Sequence, residues 1–316
     1  MKSLKKIYIE TLGCPKNLSD SNIIQKFLSD CEIIENYKYA DFIIINTCGF
    51  IKPAITESET VIENFINKRK QNQQIIITGC YVQRNYNELL QKYSSAAVIL
   101  KLDELKKLKE LIQNSKTDIS EAKIDFFKLY DSELYASTIR KKKYFLTEYV
   151  KISEGCNKHC SFCVIPKIKG VYRSRQPRAI LNECEKLLET GVKEIILVSQ
   201  NTGVYGIDYN FKFDLLSLIK EISKLSENFR LRIMYLNPED ITAKLIELIS
   251  ENNNVCKYID MPIQHTEDKI LKLMNRKTTK KMITEKIKMI RAINPMIAIR
   301  SVVITGFPDE TELDHK

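Results

Sequence analysis

The chain has 316 residues, of which 44% are hydrophobic and 28% charged, with a formal net charge of +10. That length suits about two domains with substantial cores, and the composition is ordinary for a soluble globular protein. Residues Met1 to Glu10 are basic without the apolar stretch of a signal peptide. No apolar run approaches the roughly 18 residues of a spanning helix, so no membrane role and a cytoplasmic location are expected. Nine cysteines in a cytosolic chain argue for metal or redox chemistry over a disulfide framework. The positive charge suits an RNA-rich partner such as the ribosome or tRNA, although solvated lysines on helix faces account for it equally well.

Residues 4–112 alternate short apolar runs with helical patterns. Strands are expected at Lys6–Glu10, Phe42–Ile45, Gln74–Thr78 and Ala96–Leu100, as in a parallel sheet buried on both faces. Helices are expected at Ser19–Ser29, Ala54–Lys70, Asn87–Tyr93 and Asp103–Gln113, with apolar stripes such as Ile23, Ile24, Phe27 and Leu28. The fold class is therefore α/β, beginning with an open parallel sheet over residues 1–113. Cys14, Cys48 and Cys80 each fall just past the carboxyl end of a strand, one βα unit apart, and each has a glycine beside it. In such a sheet the carboxyl ends share one edge where ligands bind, so these thiols form a candidate cluster site. Buried structural cysteine is the alternative for each of them.

Residues 114–145 lose periodicity and read as a connection, in which the basic run Arg140-Lys-Lys-Lys143 is a linker feature. From residue 146 the alternation resumes. Strands are expected at Tyr149–Ile152, Lys193–Ser199, Leu231–Tyr235, Lys257–Met261 and Ile297–Ile304. Helices are expected near Arg178–Thr190, Phe213–Ser226, Glu239–Asn252, Asp268–Asn275 and Thr279–Asn294. Five such units over 146–316 predict a partial βα barrel. Cys156, Cys160 and Cys163, spaced C-x3-C-x2-C in a loop behind the first of these strands, can face one cluster. Three thiolates on a four-iron cluster leave one iron free for a substrate. A zinc knuckle that borrows His159 and unligated loop cysteines are the alternatives. Polar residues at the strand ends offer cofactor contacts, with Gln200, Gln264 and Arg300 as the candidates. Arg173 and Arg175 suit either an anionic substrate or solvent. Cys31, Cys184 and Cys256 read as core or incidental. Neither a Walker-type loop nor a Ser-His-Asp hydrolase pattern is present.

With both cysteine trios in view, the chain resembles the radical-SAM methylthiotransferases over essentially its whole length. The resemblance rests on Leu12-Gly-Cys-Pro-Lys-Asn17 with Asp20-Ser21, Asn46-Thr-Cys-Gly-Phe-Ile51, Thr78-Gly-Cys80, Glu154-Gly-Cys-Asn157 through Cys163, Val198-Ser-Gln200, Pro262-Ile-Gln-His265, Leu271-Lys-Leu-Met274 and Gly306-Phe-Pro308. The first two motifs are similar to the RimO branch rather than the tRNA-modifying MiaB branch. The resemblance implies two 4Fe–4S clusters and S-adenosyl-L-methionine as cofactors. Cys156, Cys160 and Cys163 would hold the cluster that cleaves S-adenosylmethionine to a 5′-deoxyadenosyl radical. Cys14, Cys48 and Cys80 would hold an auxiliary cluster that supplies sulfur. The implied reaction inserts a methylthio group at the β-carbon of an aspartate in a small-subunit ribosomal protein, with electrons from a donor such as flavodoxin or ferredoxin. A tRNA adenosine methylthiotransferase and an inactive truncated fragment are the alternatives. The chain departs from the family pattern at Asp309, where glycine is usual. A sixth barrel strand and the C-terminal TRAM β domain are expected to be absent.

Overall fold

The computed structural model describes residues 4–113, 124–132, 146–210 and 212–316, in two units, Met1–Thr138 and Ile139–Lys316. The first unit is built on β1 (Lys6–Thr11), β2 (Glu32–Ile33), β3 (Phe42–Thr47), β4 (Gln74–Gly79) and β5 (Val98–Ile99), all parallel, in the order β2-β1-β3-β4-β5. Alternate residues of a strand face opposite sides. Ile44 and Ile76 accordingly pack with Ile23, Ile24 and Leu108, whereas Ile43, Ile45, Ile75 and Ile77 pack with Ile62 and Leu89. Both faces are covered, which is why the strands are isoleucine runs and not alternating patterns. The register aligns Thr11, Asn46 and Thr78 in one row at the carboxyl edge.

Element ends differ from expectation in an informative way. The first helix begins at Pro15, not Ser19, because proline needs no backbone donor in a first turn. The third begins at Cys80, not Asn87, and carries a break at Asn85. The two-residue edge strand β2 was too short to announce itself. Within the stretch expected to be a connection, Phe126–Asp131 is a 3-10 helix. Its Phe126, Phe127 and Tyr130 are buried in the first unit's core, and the Tyr130 hydroxyl donates to Asp20 at 2.7 Å. Arg140–Lys143 lies outside the described residues.

The second unit contains β6 (Thr147–Lys151), the short antiparallel pair β7 (Ser153–Glu154) and β8 (Arg173–Ser174), then β9 (Glu194–Val198), β10 (Arg230–Ile233), β11 (Tyr258–Asp260) and β12 (Ala298–Arg300). β6, β9 and β10 pair in parallel, as do β11 and β12. A bridge from Leu231 to Val255 carries the succession from β10 to β11. Strand order thus follows chain order, as a βα barrel winds. Helices Pro177–Glu189, Leu215–Ser223, Ala243–Glu251 and Lys280–Ile293 contribute Cys184, Leu218, Ile246 and Ile290 to one core with these strands. Asp214, Thr242 and Thr279 cap three of them through side-chain oxygens. The last strand, expected over residues 297–304, is confined to Ala298–Arg300, and Val302 and Val303 are exposed. Among the described residues, no helix is long and apolar enough to cross a membrane.

Asp309 stands at φ 65°, the left-handed region where a Cβ is penalised. Replacing it by glycine relieves that strain, partly offset by glycine's greater unfolded-state freedom. Asp309→Gly is expected to raise stability by up to about 1 kcal/mol, read as a higher urea midpoint at unchanged slope. An unchanged or lower midpoint would show that the turn is not strained.

Candidate functional site

Three thiols meet the carboxyl edge of the first sheet because each strand ends at the same level. Cys14 caps the helix Pro15–Phe27, and Cys80 is the first residue of Cys80–Tyr93. Helix N-termini favour thiolates over thiols. Gly13 is at φ 86°, and a Cβ there would lie 2.7 Å from the Cys48 sulfur, so only glycine lets this turn approach. Ser58 holds Cys48 at both backbone groups: its hydroxyl accepts from the Cys48 N–H (3.2 Å) and donates to the Cys48 carbonyl (2.9 Å). Arg84 donates to the next carbonyl, that of Gly49, at 2.7 Å. Burial pushes the Cys48 thiol up, the Phe50 N–H pulls it down, and neighbouring Cys14 adds to the rise. Two thiols that oppose each other's ionisation become thiolates readily only beside a cation, which is the electrostatic demand of a cluster ligand. The donor set therefore fits an iron–sulfur group.

The second trio is held locally. Gly155 is at φ 78°, and a Cβ there would meet the Val171 carbonyl oxygen at 2.1 Å. The Cys156 N–H donates to the Gly170 carbonyl (3.2 Å), and the Cys163 N–H to the Cys160 carbonyl (3.0 Å). Ser161 donates through its N–H to the Met274 carbonyl (3.1 Å) and through its hydroxyl to the Leu273 carbonyl (3.0 Å). Asn275 donates to the His159 carbonyl at 2.7 Å. Lys158, between the first two cysteines, pairs with Glu239 at 2.5 Å, and Thr278 donates to the other oxygen of Glu239. Burial raises the Glu239 carboxyl, but Lys158, a backbone N–H and Thr278 together hold it below the usual range. Burial likewise raises the Cys156 thiol against the Lys158 N–H, and Cys160 adds to the rise. The His159 side chain is exposed, and among the described residues no three His, Cys, Asp or Glu side chains converge on a single metal ion. A zinc knuckle would need His159 turned inward as a fourth ligand, whereas a four-iron core spreads its thiolates over separate irons.

The other predicted residues divide. Gln200 lies past the end of β9, and its Oε1 is buried without a partner among the described residues. Gln264 is at φ 72°, with its N–H on the Val302 carbonyl (2.9 Å) and its carbonyl taking the Ile304 N–H (2.7 Å). Arg300 donates to the buried Asp260 at 2.7 Å, and Asp260 also accepts from the Tyr235 N–H at 3.0 Å. Arg175 does not face solvent or an anionic substrate. It is fully buried, pairs with Glu183 at 2.6 Å and donates to the Lys151 carbonyl at 2.6 Å. Cys184 sits in the core, where burial drives its thiol far up. His265 is buried in its loop, accepting from the Glu267 N–H at 3.0 Å with Glu310 at 3.4 Å. Sequence reasoning missed Ser58, the Lys158–Glu239 pair and the side chain of Asn17. Asn17 was visible only as part of a motif; buried asparagine at 1% exposure is the signal that partners exist.

Comparison with known proteins gives two family matches. The family described as "Uncharacterized protein family UPF0004" matches residues 6–101, and the Radical SAM superfamily matches residues 150–316. The ribosomal protein uS12 methylthiotransferase RimO of Clostridium acetobutylicum is 44% identical over 321 residues, covering 98% of this chain and 70% of the relative. Its counterpart in Clostridioides difficile is 42% identical over 322 residues, with the same coverage. Among solved structures, the cobalamin-dependent S-adenosylmethionine radical enzyme OxsB aligns with a TM-score of 0.61 at 12% identity. That alignment covers 96% of this chain and 49% of OxsB, so the chain spans about half of that protein. The radical S-adenosylmethionine methyltransferase TsrM of Kitasatospora setae aligns at 0.63 and 11% identity, covering 95% and 67%. At these identities the two structures speak to the fold alone.

Arg175 supplies a direct test of its structural assignment. Arg175→Met leaves Glu183 buried without its cation and is expected to cost about 3–5 kcal/mol, most of it recovered in Arg175→Met with Glu183→Leu. Denaturant unfolding of the three proteins decides it. A neutral single substitution would show that the buried ion pair does not stabilise the fold.

Proposed function

The chain belongs to the RimO-type methylthiotransferases of the radical SAM superfamily, and from that membership we propose that its substrate is ribosomal protein uS12. The reaction replaces a hydrogen on the β-carbon of an aspartate by a methylthio group, which places it in the cytoplasm with the ribosome. The observation that carries this reading is the gathering of Cys14, Cys48 and Cys80 at one sheet edge, in a chain whose barrel-like unit has its own trio.

Cys156, Cys160 and Cys163 would hold one 4Fe–4S cluster, and Cys14, Cys48 and Cys80 the other. When bound, these groups and S-adenosylmethionine supply one-electron cleavage chemistry and a source of sulfur. The protein's part is to bind, orient and exclude water. The unpartnered Oε1 of Gln200 is suited to accept from an amino or hydroxyl group of the cofactor. Arg300, about half exposed and with one nitrogen on Asp260, retains donors for a carboxylate. Gln264 completes the proposed contacts at the same carboxyl edge. Electrons come from a small carrier such as flavodoxin or ferredoxin. The tRNA-modifying reading is not favoured, since the relatives at 39% to 44% identity are ribosomal-protein enzymes.

Reconstituted chain under reducing, anaerobic conditions tests the division of labour. Cys160→Ala is expected to abolish formation of 5′-deoxyadenosine. Cys48→Ala is expected to keep it and to lose the methylthio mass increment on uS12. Normal methylthiolation by Cys48→Ala would remove the sulfur-supplying role from the first trio, and a modified tRNA with unmodified uS12 would reassign the substrate.

A further inference from the structure

One side chain, Asn17, touches all three cysteine-bearing turns of the first unit. Its amide nitrogen donates to the Leu12 carbonyl at 2.9 Å, in the turn that carries Cys14. The same nitrogen donates to the Thr47 carbonyl at 3.1 Å, the residue before Cys48. Its Oδ1 accepts from the Cys80 thiol at 3.2 Å, a bond that a thiolate would no longer make. The backbone of Asn17 is fixed in turn: its N–H donates to the Cys14 carbonyl at 2.9 Å, and its carbonyl accepts from the Asn46 amide at 2.9 Å. Asn46 continues to the Ser21 hydroxyl at 2.9 Å, and Ser21 shares a hydrogen bond with Thr11 at 2.7 Å. Asn17, Ser21 and Asn46 are each no more than 1% exposed.

The amide is used to its limits. Both N–H donors go to carbonyl oxygens of two different turns, so the group cannot rotate by half a turn without setting an oxygen against two oxygens. An aspartate of the same shape would do just that. Leucine or alanine would leave two buried carbonyls without their donors. A parallel sheet brings three strand ends to one edge, but it does not fix the spacing of the loops beyond them. That spacing is what a cluster with three protein thiolates demands, and a rigid planar amide joining the loops supplies it.

We infer that Asn17 is a positioning residue for the first cluster site, tying the turns of Cys14 and Cys48 together beside Cys80 at the separation that the iron–sulfur core requires. The inference rests on the reading of those three cysteines as cluster ligands. Groups that orient metal ligands without touching the metal alter affinity by about 10- to 100-fold when removed.

The test uses the full chain with Cys156, Cys160 and Cys163 replaced by alanine, so that all iron belongs to the first unit. After reconstitution this parent is expected to hold about four irons. Asn17→Ala and Asn17→Asp are expected to surrender iron to a chelator at about 10- to 100-fold lower concentration, with an altered electron paramagnetic resonance signal of the reduced cluster. Ser21→Ala removes a hydroxyl from the same buried network without touching a cysteine turn and is expected to match the parent in both readouts. Should the first two variants not fold, as judged by circular dichroism, Asn17→Ser, which keeps one donor, is expected to fall between them and the parent. An Asn17→Ala or Asn17→Ser protein with the parent's chelator resistance and spectrum would overturn the inference, as would equal loss in Ser21→Ala. A parent without iron would overturn the cluster reading itself, and the inference with it.

Discussion

Three thiolates cannot sit side by side in a protein interior unless something positive joins them. Burial and mutual repulsion both oppose ionisation, as the raised thiols of Cys48 and Cys156 show. A chain that nonetheless brings them together must keep their positions fixed until the metal arrives. Much of the first unit can be understood as the means of doing so. Strands in register deliver the thiols to one edge, helix N-termini favour their charged form, and a buried polar network fixes the turns.

The two trios meet the same demand by different routes. Cys14, Cys48 and Cys80 are distant in sequence, so their proximity depends on the whole sheet and on cross-strand ties such as Ser58 and Asn17. Cys156, Cys160 and Cys163 lie in one loop, whose proximity is given by the covalent chain. Contacts with Met274, Asn275 and Glu239 then set its shape. Perturbing the first sheet should therefore damage the first site globally, whereas the second is sensitive to a few anchors. Loop-borne chemistry on a rigid scaffold is the general pattern, but only the second trio follows it closely.

What could be read in the sequence was what depends on near neighbours in the chain. The isoleucine runs at 43–45 and 75–77 announce doubly covered parallel strands, and the cysteines after them inherit a location from topology alone. The helix at Phe126–Asp131 escaped because its aromatic residues have no period; they are explained only by the core they enter and by Asp20. Arg175 gave no sign of Glu183, since an Arg in a polar stretch is more often solvated. Asn17 was legible as a motif letter and not as a bridge, because its partners, Thr47 and Cys80, are distant in the chain. Partner choice across such distances is a property of the folded chain, not of the local pattern.

The central claim is that both trios hold iron at once. Iron and acid-labile sulfide per chain after anaerobic reconstitution measure it most directly. Two four-iron clusters predict about eight of each. About four of each would leave one trio without a cluster, and zinc in place of iron would contradict the account altogether.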